Sequence, residues 1–157
     1  MLPSRFNRRQ LVGGAGIVAF AAVAGPVFAS SYPPVVAYRN PGCGCCEKWV
    51  AHLNEFGFQV TMLDDPDLDR RRAEAGVPSE LAGCHTAFLG DYIVEGHVPA
   101  EDIIRLLAES PVVRGIAVPG MPIGSPGMES GDRVDAYDVL AFKADGSWSV
   151  FAKHRQG

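Results

Sequence analysis

Val35-Val36-Ala37-Tyr38, then Asn40-Pro41-Gly42, then Cys43-Gly44-Cys45-Cys46-Glu47-Lys48-Trp49, and finally Phe58-Gln59-Val60-Thr61-Met62-Leu63 is the stretch that decides the fold. The first run is short and apolar, as expected of a buried strand. Pro41 and Gly42 break it and make a loop that delivers Cys43. From Cys46 the apolar positions Trp49, Val50, Leu53 and Phe56 recur at helical spacing, and Gly57 is a natural stop. Residues 58–63 alternate and read as a second strand. Strand, helix and strand joined by short links predict a parallel crossover unit.

Outward from this unit, Asp64-Asp65-Pro66 opens a polar segment that predicts a short helix ending at Gly76. Its Arg70-Arg71-Arg72 run reads as a solvated face balanced by Asp65, Asp67, Asp69 and Glu74. Thr86 to Leu89, Gly90-Asp91 and Tyr92 to Glu95 spell a hairpin. Pro99 stands where a helix would start, and Ile103, Ile104 and Leu107 form its buried stripe. Residues 111–132 are dense in Gly and Pro without periodicity, and they repeat Pro-Gly-Met at Pro119–Met121 and Pro126–Met128. A final hairpin turns at Asp145-Gly146. The expected class is α/β: a βαβαββα core, a long Gly/Pro/Met loop and an additional C-terminal hairpin. That order, with cysteines at the start of the first helix, resembles the thioredoxin fold.

Residues 1–29 read as an export signal: Arg5, Arg8 and Arg9 precede an uncharged apolar stretch, Leu11 to Ala29. Val27-Phe28-Ala29 offers small residues for cleavage before Ser30. Asn7-Arg8-Arg9-Gln10-Leu11-Val12 looks like a twin-arginine signal. An uncleaved single-span anchor is the competing reading; Gly13, Gly14 and Gly16 and the cleavage site favour export. Residues 30–157 then form one domain in the periplasm, with no stable membrane span after cleavage. The whole chain carries 14 Lys and Arg against 18 Asp and Glu. The signal holds only basic charges, so the remaining domain is more acidic still, which argues against nucleic acid as a partner.

Three of the four cysteines lie within four residues, Cys43 to Cys46, and the fourth, Cys84, is followed by His85. An oxidising compartment allows two ordinary disulfides, the bland reading. Cys43 and Cys46 have redox-motif spacing, and a helix N-terminus favours thiolate. Such a thiolate serves equally as a nucleophile or a metal ligand. Cys45 and Cys84 add sulfurs that disulfide exchange does not need. Where thioredoxins carry a proline before Thr, this chain has Cys84-His85-Thr86. Soft sulfur ligands select copper(I), zinc or iron–sulfur chemistry. The spacing fits zinc and ferredoxin patterns poorly, and the thioethers of Met121 and Met128 tilt the choice toward copper(I). His85 and the two methionines are secondary ligand candidates; structural alternatives are a backbone cap for His85 and core filling for the methionines. His97 reads as a brace for the turn before Pro99. His52 is about 10 Å of helical rise from Cys45, too far to share an ion with it.

Cys43-Gly44-Cys45-Cys46-Glu47-Lys48-Trp49, Cys84-His85-Thr86, Glu95-Gly96-His97-Val98-Pro99-Ala100, Ala117 to Pro122 and Gly124 to Glu129 together resemble the exported copper-resistance proteins of the CopG type. The resemblance implies a thioredoxin-like periplasmic domain whose Cys43, Cys45, Cys46 and Cys84 hold a cysteine-bridged multinuclear copper cluster. It further implies a role in copper resistance: sequestration, transfer or redox interconversion of copper, with other periplasmic copper-handling proteins as candidate partners. The alternative is a thiol–disulfide oxidoreductase using Cys43 and Cys46.

Overall fold

The computed structural model describes residues 32–155, so the expected signal lies outside the described residues. Among the described residues, three α-helices flank a single seven-stranded sheet. In chain order the elements are β1 (Val35–Arg39), α1 (Gly44–Glu55), β2 (Val60–Asp64), α2 (Leu68–Ala75), β3 (His85–Leu89), β4 (Tyr92–Glu95), α3 (Ala100–Glu109), β5 (Gly115–Ala117), β6 (Tyr137–Phe142) and β7 (Trp148–His154). A single 3-10 turn at Ser79–Leu81 precedes β3. Across the sheet the strands run β2-β1-β3-β4-β5-β6-β7. β1 pairs parallel with β2 and antiparallel with β3, while β4 pairs parallel with β5.

Period-two alternation sorts the strand residues onto two faces. Val94, Ile116 and Ala141 join the core under α1 and α3, together with Trp49, Leu53, Ile103 and Leu106. Their neighbours Ile93, Ala117 and Phe142 point the other way, into a smaller core with Ala75, Val77 and Leu81. Full burial of such large apolar side chains contributes about 1.5–3 kcal/mol each.

Two expectations need correction. Residues 111–132 are not wholly irregular, because Gly115–Ala117 forms β5. This strand pairs with both β4 and β6 and so welds the C-terminal strands to the rest of the sheet. Three residues buried on both faces carry no alternation to read. Nor is the arginine run all solvated. Arg70 pairs with Asp67 and Glu74 on the surface and Arg71 with Asp65, but Arg72 is buried and reaches Glu95 at 2.7 Å.

Candidate metal centre

Cys43 caps α1, and Cys45 and Cys46 lie in its first turn. The loop before it is tightened by the Cys43 N–H donating to Asn40 O, 3.3 Å. Arg39 braces the same loop, donating to Cys43 O at 2.9 Å while pairing with Glu47 and Asp64. Cys84 arrives from a different direction, on the residue before β3. Because β3 runs antiparallel to β1 with His85 opposite Arg39, the start of β3 meets the end of β1, where the cysteine loop departs.

The four sulfurs consequently converge, all within 4.8 Å of one another, as a group able to hold a metal ion. Cys45 Sγ stands between two of them, 3.3 Å from Cys43 Sγ and 3.6 Å from Cys84 Sγ. Cys43 and Cys46 are joined as a disulfide, with their Cα atoms 5.6 Å apart, while Cys45 and Cys84 are free thiols. Cys43, Cys45 and Cys84 are half-buried, and Cys46 is fully buried. Desolvation, then the adjoining Cys45, pushes the Cys84 thiol up to about 12, so in the metal-free protein it holds its proton.

A buried network fixes the Cys84 loop, and sequence reasoning missed it. The Glu95 carboxylate accepts from Arg72 Nε and the Gly83 N–H, each at 2.7 Å, and from Thr86 Oγ1 at 2.6 Å. Burial pushes this carboxyl above its ordinary value, and Arg72, Thr86 and the Gly83 amide pull against that. Gly83 also packs backbone to backbone on Gly96: a Cβ there would lie 2.6 Å from Gly96 Cα. The only signals in the sequence were an acid at the end of an apolar strand and a glycine before Cys84.

Met121 lies across a cleft of about 450 Å³ that Asn40, Pro41, Cys43, Gly83 and Cys84 also line. Its side chain is exposed, and its loop is tied down by the Gly120 N–H donating to Ala82 O, 3.1 Å. Met128 is half-buried on a turn, where its N–H donates to Ser125 O at 2.8 Å. The neighbouring Gly127 lies against the first turns of α1, so close that a Cβ would meet Cys45 O at 2.8 Å. The second Pro-Gly-Met unit is thus seated beside the cysteine helix.

His85 lies behind the sulfurs, fully buried, its ring 4.1 Å from Trp49 and 5.1 Å from His97. Burial holds both imidazoles below the usual histidine range, His85 well below it. His97 does more than brace its own turn, since its Nδ1 donates to Pro126 O at 2.8 Å and so anchors the second Pro-Gly-Met loop. His52 is remote from the sulfurs in role: its Nε2 accepts the Ala100 N–H at 3.1 Å, at the start of α3.

Residues 81–128, which hold Cys84, both histidines and both methionines, match the family model described as "Protein of unknown function, DUF411". The solved structure named "Copper resistance protein copG- Form 1" is 43% identical, with a TM-score of 0.75 over 80% of this chain and 99% of that one. The chain belongs to the CopG family of copper resistance proteins. A second solved CopG structure, "Form 2", is 44% identical, with a TM-score of 0.75 over 78% of this chain and 99% of that one. No match is found among curated proteins. Membership of the CopG family and a sulfur group able to hold metal together make the function copper-related. Among the described residues, no helix is long and apolar enough to cross a membrane.

Proposed function

We propose that this CopG protein binds copper(I) through Cys43, Cys45, Cys46 and Cys84 as a thiolate-bridged multinuclear cluster, and serves copper resistance in the periplasm. The observation that carries this reading is the convergence of four sulfurs from two separate loops, with Cys45 in hydrogen-bond reach of both Cys43 and Cys84. Soft sulfur donors this close together suit a soft monovalent ion, and shared thiolates let several ions sit in a small volume. The β1-α1-β2 crossover followed by antiparallel β3 and β4, with cysteines at the start of α1, is read as a thioredoxin-like core.

Loading requires the Cys43–Cys46 disulfide to open. It accepts an electron pair and a pair of protons from a dithiol reductant, whose own thiols close to a disulfide. All four thiols then give up their protons as metal binds. The cleft between Cys43, Cys84 and Met121 is the route by which copper arrives, with the exposed Met121 thioether as a transient contact. Residues 1–29 act as the twin-arginine-like export signal, leaving residues 30–157 as the copper-binding domain.

The test is elemental analysis after anaerobic loading of reduced protein. Several copper ions per chain and ultraviolet sulfur-to-copper absorption are expected, with the load sharply reduced in Cys45→Ser. A Cys45→Ser protein that retains the full load refutes the bridged cluster.

The disulfide itself favours a second reading, thiol–disulfide exchange at Cys43 and Cys46. That activity would proceed without metal and survive Cys45→Ser, which separates the two.

A further inference from the structure

The Cys43–Cys46 disulfide presents its two sulfurs very differently. Cys46 is fully buried, whereas Cys43 is half-buried and lines the cleft of about 450 Å³ beside the site. A disulfide opens when a thiolate attacks one sulfur and expels the other. Cys46 is closed to a thiol from outside, so attack falls on Cys43 and Cys46 is the sulfur that leaves. The released Cys46 also has a partner waiting: its Sγ lies 3.9 Å from Cys84 O, which accepts a hydrogen bond from the thiol.

The walls of the cleft narrow what carries the attacking thiol. Its volume falls within the range of small-ligand pockets, about 300–1,000 Å³. Pro41, Gly42, Ala82, Gly83 and Gly120 supply much of the lining, and none of the lining residues is charged. A Cβ at Gly42 or Gly120 would meet nothing within 4 Å, so both offer bare backbone to open space. Such small residues let another backbone come close, and the exposed Met121 adds an apolar rim. The neighbouring cations are already paired, Arg39 with Glu47 and Asp64, and Arg72 with Glu95. A charged visitor would lose hydration here without gaining a partner. An extended, uncharged chain segment fits.

We infer that this cleft is the docking groove of a reducing protein, which inserts an extended, uncharged, cysteine-bearing segment and attacks Cys43. The inference rests on the copper reading above and deepens it, since it names what opens the disulfide before loading. The partner's thiolate bonds to Cys43 Sγ, the Cys43–Cys46 bond breaks, and Cys46 takes up a proton. The partner's second thiol then attacks its own first sulfur in the mixed disulfide and expels Cys43, which takes up the other proton. The partner leaves oxidised to a disulfide, and the chain is left with four thiols.

The experiment follows opening of the disulfide in the full, oxidised, metal-free chain by alkylation and mass spectrometry. Its probes are mercaptoethanol and two capped cysteine peptides, one flanked by Gly and Ala and one by Glu. At equal thiolate concentration the neutral peptide should react about tenfold faster than either other probe, the gain of one good docking contact. Asn40→Trp and Met121→Trp, at exposed positions on the cleft, should each remove that advantage and leave the mercaptoethanol rate unchanged. In a chain carrying both Cys45→Ser and Cys84→Ser, where sulfurs cannot shuffle, the trapped peptide should sit on Cys43 with Cys46 alkylated. A neutral peptide no faster than mercaptoethanol overturns the groove, and that measurement needs no variant to fold. An advantage that survives both Trp variants, or a Glu-flanked peptide as fast as the neutral one, overturns it too. A peptide trapped on Cys46 overturns the direction of attack. Copper uptake by the dithiol-reduced protein separates the two readings: none taken up refutes copper binding, whatever the peptide rates, and full uptake beside equal peptide rates refutes the groove alone.

Discussion

Arg39, the last residue of β1, lies opposite His85, the first residue of β3. That one register places Cys84 beside the loop that follows β1, and its sulfur comes to 3.6 Å from Cys45 across 39 residues of sequence. The sulfur site is therefore a property of strand pairing as much as of the cysteine motif. A slip of one residue would turn every β3 side chain to the opposite face.

Cys84 has no local substitute, so Cys84→Ser should lower copper stoichiometry as much as Cys45→Ser does. Elemental analysis of anaerobically loaded protein checks this. The serine is nearly isosteric, so the thermal unfolding midpoint of the metal-free form should stay close to wild type.

The Arg72–Glu95 pair should be the costliest place to remove one partner. Glu95 is fully buried and Arg72 nearly so. Replacing Arg72 with Met leaves a buried carboxylate with only Thr86 and the Gly83 amide to satisfy it. The expected loss is about 3–5 kcal/mol in urea unfolding. Copper affinity should fall too, because Gly83 and Cys84 lose their anchor.

Gly83→Ala addresses the same loop through sterics alone. The new Cβ would meet backbone atoms of Gly96 rather than a movable side chain. Overpacking of this kind costs about 1–3 kcal/mol. Thermal denaturation should show the shift, and unchanged stability would mean that the two backbones are not in tight contact.

Proton linkage gives a pH dependence whose sign can be worked out. The Cys84 thiol is raised from 9.0 to about 12, so the folded metal-free protein keeps this proton where the unfolded chain loses it. Its contribution to stability is complete below pH 9.0 and is lost as pH rises toward about 12. Copper binding must expel the same proton, so apparent affinity should rise with pH. Competition against a chromophoric copper(I) chelator over a pH series tests this, and a flat profile would contradict thiolate ligation by Cys84.

Met121 should matter for rate more than for capacity. It is exposed at the cleft, so Met121→Ala should leave the copper load and the fold unchanged while slowing copper transfer from a donor chelator. Stopped-flow ultraviolet absorbance follows that step.

The helix after Cys46, the helix stop at Gly57 and the strand pairs around Gly90-Asp91 were legible because each rests on a short-range pattern of apolar spacing or turn chemistry. The cysteine motif was legible for the same reason: its sulfurs are neighbours along the chain and need only a turn and a helix start to face one way. β5 escaped because Gly115, Ile116 and Ala117 are too few to show a period. Arg72 looked like its exposed neighbours because charge balance along a helix does not reveal which arginine faces inward. His97 looked like a turn residue because its partner, Pro126 O, lies 29 residues away.

By itself, the order of residues determined that cysteines would gather at a helix start, with one strand before that helix and another after it, since both follow from interactions within a few residues. Tertiary structure alone decided that the Cys84 sulfur stands beside the other three, that Glu95 and Arg72 lock its loop, and that two imidazoles end up sealed behind Cys46. Those outcomes depend on strand register and on which faces are buried together. Such long-range choices are settled by packing the whole sheet, not by any segment of it.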